Sequence, residues 1–378
     1  MGPTSLVDAR AGNYWPTLEQ ELLLRAALLP GPVAVAAWNE VRPKVDLDRI
    51  DPVSQRLLPL LYRNLCRLHV DDPWLPRLKG IYRYAWSRNQ MLFHHARALL
   101  GALAQNEIPT LVLKGAAVVL SHYGSDPGLR PMHDFDILVP TARAEQARDV
   151  LQGAGWSPVY AITPSFLRIK HAGLFQDRDG RHCDLHWHVF EECCQPGDDD
   201  ELWEAAAQVD FYGTPTRVLS VSDQLLHVCA HGAKWTWEPP IRWIADATLI
   251  LQTGGIDWRR LTAQAVKRHF IMRMRETLEF LRARMSAAVP DSVLEALSAQ
   301  PTTRLERFEA RVLRRQHKVL GQLPLYWCHH QRARRGGLLS TALTFPVHLQ
   351  HAWGLPHLSE VPRGALRRMI RRMRSALR

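Results

Sequence analysis

Cysteine is scarce and unpaired in this sequence, and long apolar runs are absent. The six cysteines are spread over 378 residues without a Cys-x-x-Cys pair, which predicts mostly free thiols in a reducing compartment. Residues 110–120 are among the longest apolar runs, yet they fall short of the roughly 20 residues that a membrane span needs. The first residues lack a basic start followed by an apolar stretch. We therefore expect no secretory signal and a cytoplasmic location.

Positive charge is in excess, but it is unevenly placed. Lys and Arg outnumber Asp and Glu by 48 to 37, which gives a net charge of +11. This balance favours phosphate-rich partners, yet much of the excess lies at the C-terminal end and says little about an active site. Hydrophobic residues at 46% and charged residues at 22% are ordinary for a globular protein and give no indication of extended disorder.

The pattern of apolar residues and helix breakers divides the chain into three regions. Residues 1–107 are predicted as helical, with prolines cutting the first part into short helices before a longer one at about 76–103. Residues 108–220 alternate strand and helix, which is typical of an α/β (α+β) core with a mixed sheet. Residues 221–378 are predicted as a helical domain with a basic tail, which forms an amphipathic helix at 363–378 if it folds.

Two aspartates lie on the second predicted strand of the core. If residues 133–139 form a strand, Asp134 and Asp136 share one face while Phe135 and Ile137 point into the opposite layer. Neighbouring carboxylates repel each other and persist most readily with a divalent cation between them. The Asp-x-Asp pair therefore predicts a metal site, although this spacing is common on its own.

A glycine-containing turn precedes the aspartates. The apolar run 108–113 ends at Lys114 and Gly115, and residues 116–122 then have the pattern of a helix. Glycine lets a phosphate approach the backbone, and the unpaired N–H groups at a helix start attract an anion. We therefore expect the turn to bind a phosphate that the predicted metal ion also contacts.

A later stretch, residues 181–190, has a period of two. Asp184, His186 and His188 fall on one face and apolar residues on the other. An acid and two imidazoles on one strand face are unusual for an ordinary surface, so this stretch is a second candidate site. Asp184 could complete the metal site or act as general base on an attacking hydroxyl.

The same stretch admits a different metal site. The ligand types would allow zinc to bind Asp184, His186 and His188 together with Cys193 or Cys194. Such a site would leave the aspartate pair of the earlier strand without a partner, which argues against it.

Taken together, the motifs resemble a known family. They are the segments 114–115 (KG), 130–131 (RP), 133–139 (HDFDILV) and 184–187 (DLHW). They resemble the nucleotidyltransferase superfamily that includes DNA polymerase β and aminoglycoside nucleotidyltransferases, and more closely the bacterial family of uncharacterised nucleotidyltransferases. The segments 223–232 and 242–246 are similar to the helical second half of that family.

The resemblance implies a fold and a reaction. The fold is a nucleotidyltransferase core with a mixed sheet, flanked by N-terminal helices and a C-terminal helical bundle. The reaction moves a nucleoside monophosphate from an NTP to a hydroxyl of a small molecule, peptide or protein and releases pyrophosphate. The implied cofactor is Mg²⁺, in a two-metal site, and ATP is the default donor.

The resemblance also implies the roles of individual residues in binding metal. Asp134 and Asp136 would bind both metal ions. Asp184 would bind the catalytic ion and help to deprotonate the acceptor. These three residues are the expected catalytic and metal-binding set.

The nucleotide phosphates have a second implied set of contacts. Arg130 and Lys114 would neutralise phosphate charge near Gly115. His186 is a further candidate for nucleotide binding, because it shares a strand face with Asp184. The superfamily's usual Gly-Ser is Gly115-Ala116 here. One expected hydroxyl contact to the triphosphate is therefore missing.

Other readings of the function and partners remain open. The donor could carry another phosphate-linked group, such as the sugar of a nucleotide-sugar, or the chain could be a catalytically silent protein that binds a nucleotide or peptide. The arginine-rich tail is typical of a solvated face or a weak contact with an anionic surface. Nucleic acid is not an expected partner, because the last sixteen residues contain no aromatic side chain for stacking.

Overall fold

Short helices precede a long one in the N-terminal part of the chain, as the prolines predict. The computed structural model describes residues 15–234, 241–314, 322–333 and 338–376. A capping box between Thr17 and Gln20 starts the first helix, and later prolines stand in first turns, where no N–H is needed. The helices are α1 (Leu18–Leu28), α2 (Gly31–Val41), α3 (Pro52–Gln55), α4 (Leu58–Arg67) and α5 (Leu75–Gln105).

A mixed sheet follows, and the described residues contribute seven strands to it. The strands are β1 (Leu111–Val112), β2 (Asp134–Leu138), β3 (Ser157–Pro158), β4 (Ala172–Gln176), β5 (His182–His186), β6 (Ala207–Phe211) and β7 (Thr214–Val218). Their order is β3-β4-β5-β2-β1-β7-β6. The pairs β2–β5 and β1–β7 are parallel and the others antiparallel. The predicted α/β core with a mixed sheet is confirmed.

Helices connect the strands and place the site strands at the centre of the sheet. They are α6 (Lys114–His122), α7 (Ala144–Gly153), α8 (Pro164–Leu167) and α9 (Asp200–Glu204). A hairpin joins β4 to β5, and Asp177 closes it by accepting from the Arg181 side chain. Phe135 and Ile137 of β2 are buried, so the opposite face of that strand is left for its aspartates.

The strand with period-two polarity is shorter than expected. We predicted alternation through residue 188, but β5 ends at His186. The backbone amides of Trp187 and His188 both donate to the carbonyl of His171, at 2.9 and 3.1 Å. Two amides converging on one oxygen break the alternation, and His188 therefore leaves the face that Asp184 and His186 share.

The rest of the chain is helical. Its helices are α10 (Val221–Gly232), α11 (Arg242–Thr253), α12 (Trp258–Lys267), α13 (Ile271–Met285), α14 (Asp291–Ala299), α15 (Arg304–Arg314), α16 (Leu323–Ala333), α17 (Leu338–Ala352) and α18 (Val361–Ala376). The predicted C-terminal amphipathic helix is present as α18, and residues 377–378 lie outside the described ranges. Among the described residues, no helix has the length and apolar character to cross a membrane.

The start of α10 is capped by a serine. Ser220 is the cap and accepts from the Asp223 amide. Ser222 accepts from the Asp257 amide, and the Asp223 carboxylate binds Arg260.

One continuous hydrophobic core runs through the N-terminal helices, the sheet and helices α10 to α14. Helices from both ends of the chain therefore pack against the sheet.

Candidate active site

Lys114 begins the site at the junction of β1 and α6. Its φ of +46° lies in the left-handed region, which costs conformational energy for a residue with a side chain. The preceding amide, that of Leu113, donates to the Asp136 carbonyl at 3.0 Å and ties this turn to β2. The turn aims the Lys114 ammonium at three side chains, since Nζ lies 2.5 Å from Asp136 Oδ1, 3.8 Å from Asp184 Oδ2 and 3.4 Å from His186 Nε2.

Asp136 and Asp184 face each other across adjacent strands. They are partners in the parallel register of β2 and β5, so both carboxylates project from one face of the sheet. Asp136 Oδ1 also lies 3.0 Å from His186 Nε2. We call Lys114, Asp136, Asp184 and His186 the catalytic-edge cluster.

The two carboxylates of this cluster have different protonation behaviour. Burial alone would raise the pKa of Asp136, but the Lys114 ammonium and His186 hold it well below its usual range. Burial raises the pKa of Asp184, and the charge of Asp136 adds to this rise while Lys114 opposes it. The side chain of Asp184 is 24% exposed and that of Asp136 only 4%. Asp184 is therefore the carboxylate that a bound molecule can reach.

The expected metal ligands are only partly brought together. Ligand atoms of Asp136, Asp184 and His186 all lie within 4.8 Å of one another. Asp134 stands at the exposed start of β2 and is outside that group. His186 was expected near the nucleotide. It lies instead among the possible metal ligands, as its position on the same strand face as Asp184 already indicated.

Arg130 reaches the glycine turn but is held by a residue from the helical half. Its Nε and Nη2 donate to the two oxygens of Asp246, at 2.9 and 2.7 Å. The third nitrogen, Nη1, lies against Gly115, where a side chain would collide with it and with Met132. The expected phosphate-binding arginine thus has a fixed guanidinium with one nitrogen directed toward the start of α6.

The partner of Arg130 was not identified from the sequence. Asp246 is 3% exposed and also accepts from the Tyr123 hydroxyl at 2.6 Å. Burial, together with the charges of Arg130 and Arg56, lowers the pKa of the neighbouring Arg242 to about 9. Asp246 lies off the apolar stripe of its helix, and this position in the sequence indicated a polar contact. No sequence pattern indicated a role for Tyr123.

The zinc set is not formed by the described residues. His188 Nδ1 lies 2.7 Å from Asp199 Oδ2, and both side chains are buried. Neither His188 nor the two cysteines belong to a described group of metal-type ligands with Asp184. Burial instead raises the pKa of the Cys193 thiol to about 12, which disfavours the thiolate that zinc requires.

Buried imidazoles stand behind the catalytic-edge cluster. The ring of His171 lies 5.3 Å from that of His186, and burial lowers the pKa of His171 well below its usual value. Burial also lowers the pKa of His227 to about 3, with the Lys114 charge adding to the effect. These rings are therefore neutral at pH 7, and no sequence pattern distinguishes them from ordinary core histidines.

Three solved structures are similar to parts of this chain. The solution structure of the antibiotic-resistance factor ANT(2'')-Ia is 13% identical, with a TM-score of 0.34, and the match covers 51% of this chain and 98% of that one. The crystal structure of ANT(2'')-Ia with adenylyl-2''-tobramycin is 14% identical, with a TM-score of 0.34, and covers 47% and 95%. An antigenic nucleotidyltransferase-like protein from Paracoccidioides brasiliensis is 14% identical, with a TM-score of 0.35, and covers 56% and 94%.

The family assignment comes from a family model. No curated protein matches the chain. The model described as uncharacterised nucleotidyltransferase matches residues 53–285, which include every residue of the catalytic-edge cluster. Because this match spans more than half of the 378 residues, the chain belongs to the uncharacterised nucleotidyltransferase family and is an enzyme of the nucleotidyltransferase class.

Proposed function

We propose that the enzyme moves a nucleoside monophosphate from an NTP to a hydroxyl of a small molecule, peptide or protein, with release of pyrophosphate. The observation that carries this proposal is the in-register pairing of Asp136 with Asp184 beside the Lys114–Gly115 turn. Two carboxylates next to a helix start provide both a cation site and an anion site within one edge of the sheet.

The donor set of this edge fits a divalent cation. The Lys114 ammonium lies within 4 Å of both Asp136 and Asp184, and this concentration of negative charge supports a cation site at the pair. Carboxylate oxygens are the ligands that Mg²⁺ prefers, and the imidazole of His186 would suit Mn²⁺ as well. We propose that Asp136 and Asp184 hold the ion together with Asp134. A bound ion would supply charge neutralisation at the transferred phosphate.

The protein's own groups have separate tasks in this proposal. Asp184, the more accessible carboxylate, accepts the proton of the acceptor hydroxyl. Lys114 balances the negative charge of the phosphates when they enter. The absence of a side chain at Gly115 makes room for Arg130 Nη1 and Met132 beside the start of α6, where free N–H groups attract a phosphate.

Arg130 takes over part of the phosphate binding. Ala116 stands where the superfamily has a serine, and its side chain is buried with 2% exposure. A hydroxyl contact is therefore missing, but Arg130 Nη1 lies against Gly115 and is not among the nitrogens that Asp246 binds. We propose that this N–H group binds the triphosphate in place of the missing hydroxyl.

Label transfer tests the proposed reaction. The protein is incubated with Mg²⁺ and each of the four α-labelled NTPs, ATP first, over a panel of hydroxyl acceptors that includes aminoglycosides, peptides and proteins. We expect one acceptor to become labelled, and labelling to stop when the ion is chelated. If the wild-type enzyme labels nothing on the panel while it binds NTP without Mg²⁺, the silent-binding alternative replaces this proposal.

A second donor class is favoured by Ala116. Without the serine hydroxyl the turn offers one contact fewer to a triphosphate, so a nucleotide-sugar could serve as donor. Mass spectrometry of the modified acceptor separates the two reactions, because an added nucleoside monophosphate and an added hexose differ in mass. A hexose adduct would move the proposal to sugar transfer while keeping the same carboxylates.

A further inference from the structure

Helix α17 presents an uncovered row of large apolar side chains. Leu339, Leu343 and Val347 recur every four residues and so lie on one face of the helix. Their exposed fractions are 76%, 73% and 42%. We call these three residues the apolar ridge. The sequence of α17 contains no acidic residue, so nothing on the helix itself repels an anionic surface.

Helix α18 combines the same apolar exposure with strong positive charge. The sequence from 361 to 378 has seven arginines and no acidic residue. Leu366 and Ile370, one helical turn apart, are 52% and 36% exposed, and the side chains of Arg363, Arg367 and Arg368 are exposed as well. A helix with an apolar stripe beside an arginine-rich face is typical of segments that lie in a membrane interface.

The two helices form one unit. The Arg368 guanidinium stacks on the Trp353 ring near the end of α17, 4.2 Å from its centroid. A side chain at Gly364 would stand 3.3 Å from Leu355 and from Trp353, so the absence of one allows the close approach. Leu358, in the short connection between the helices, is itself 46% exposed. The apolar ridge and the arginine face are thus carried by one helical hairpin.

We propose that the α17–α18 hairpin is a peripheral binding surface for anionic lipid bilayers. Arginines attract the negative headgroups, and the exposed leucines enter the boundary between headgroups and acyl chains. Nucleic acid would be attracted by the arginines alone and would leave the exposed leucines without a partner. The last sixteen residues also offer no aromatic ring for base stacking. This surface is independent of the proposed reaction.

Vesicle co-sedimentation of the full chain tests the proposal. We expect the protein to pellet with vesicles of phosphatidylcholine plus phosphatidylserine, to stay in solution with phosphatidylcholine alone, and to be released at about 1 M salt, where charges are screened beyond about 3 Å. The variants Leu339→Asp/Leu343→Asp and Arg363→Glu/Arg367→Glu should each weaken binding at least about tenfold, since each removes one of two required signals.

A matched control and a competing ligand complete the test. Leu18 is 62% exposed on α1, far from the hairpin in sequence, so Leu18→Asp should bind vesicles as the wild type does. Circular dichroism confirms that each variant is folded. Absence of binding to anionic vesicles, equal binding by Leu339→Asp/Leu343→Asp, or tighter binding to a duplex DNA or RNA than to vesicles would each overturn the proposal.

Discussion

Two clusters of buried charge can be compared in this enzyme, and both contain acids and a histidine close enough to bind a metal. One is the catalytic-edge cluster. The other joins the loop after β5 to the C-terminal helices and consists of Glu192, Lys234, Arg273, Glu309 and Arg332, with His329 beside them. We call it the interhelical cluster.

The clusters differ in charge balance. In the interhelical cluster Glu192 Oε1 lies 3.0 Å from both Lys234 Nζ and Arg273 Nη1, while Glu309 binds Arg332. Three cations thus meet two carboxylates whose side chains are each 2% exposed, and a third carboxylate, that of Glu191, lies 3.9 Å from Lys234 Nζ. Burial alone would raise the pKa of Glu192, but Lys234 and Arg273 hold it well below its usual range.

In the catalytic-edge cluster acids exceed cations, and the cluster is open. Two carboxylates there meet a single lysine, Asp134 stands on the same strand, and Asp184 is accessible. We therefore infer different roles for similar residue types. Acids matched by cations hold helices together in the interhelical cluster, and the excess of acids in the catalytic-edge cluster supports the proposed metal and substrate site.

The largest expected effect is on catalysis at the open cluster. Asp136→Asn should lower nucleotidyl transfer by about 10³-fold or more, because the loss of a metal-binding carboxylate removes several kcal/mol of transition-state stabilisation. The measurement is the rate of label transfer at saturating NTP. Asp149→Asn, on an aspartate whose side chain is 63% exposed on α7, is the matched control and should leave the rate unchanged.

At the closed cluster we expect the reverse. Glu309→Gln should destabilise the fold by about 3–5 kcal/mol, because Arg332 and Arg273 would be left buried without a full countercharge. Urea unfolding measures the change. Below the unfolding transition the transfer rate per folded molecule should equal that of the wild type; a loss of rate as large as that of Asp136→Asn would end the distinction between the clusters.

A smaller effect is expected where the helical half meets the phosphate turn. Asp246→Asn keeps an acceptor for Tyr123 but removes the charge that holds Arg130, so the KM for NTP should rise about tenfold, equivalent to about 1.4 kcal/mol, with a lesser change in kcat. Steady-state kinetics separates the two constants. Asp246→Glu should restore part of the loss; a fall in kcat alone would place Arg130 in a different step.

The smallest effect is expected at His188. His188→Asn removes one buried hydrogen bond to Asp199 and should cost about 1 kcal/mol of stability. Nucleotidyl transfer should be unchanged, because His188 lies outside the catalytic-edge cluster. A zinc signal in elemental analysis that disappears in this variant would revive the zinc site.

Local patterns predicted the part of the site that lies on strands. Alternation along residues 133–139 placed Asp134 and Asp136 on one face, and alternation after residue 182 placed Asp184 and His186 together, because side-chain direction in a strand depends only on position. The same rule failed at His188, where the backbone leaves the strand. That departure depends on the carbonyl of His171, which no local pattern reveals.

The rest depends on contacts between distant segments. Arg130 and Asp246 are 116 residues apart, and the local sequence around either residue does not indicate its partner. The positive φ of Lys114 could not be foreseen for a residue with a long side chain, yet it directs the ammonium at the carboxylates. The balance of charge that separates the two clusters is likewise a property of the packed helices.

The most direct test of the proposed reaction is Mg²⁺-dependent label transfer by the wild type, Asp136→Asn and Asp184→Asn side by side. We expect transfer by the wild type, loss of transfer in both variants, and intact circular dichroism in all three. Transfer by either variant at the wild-type rate, or by the wild type after complete chelation of divalent ions, would contradict it.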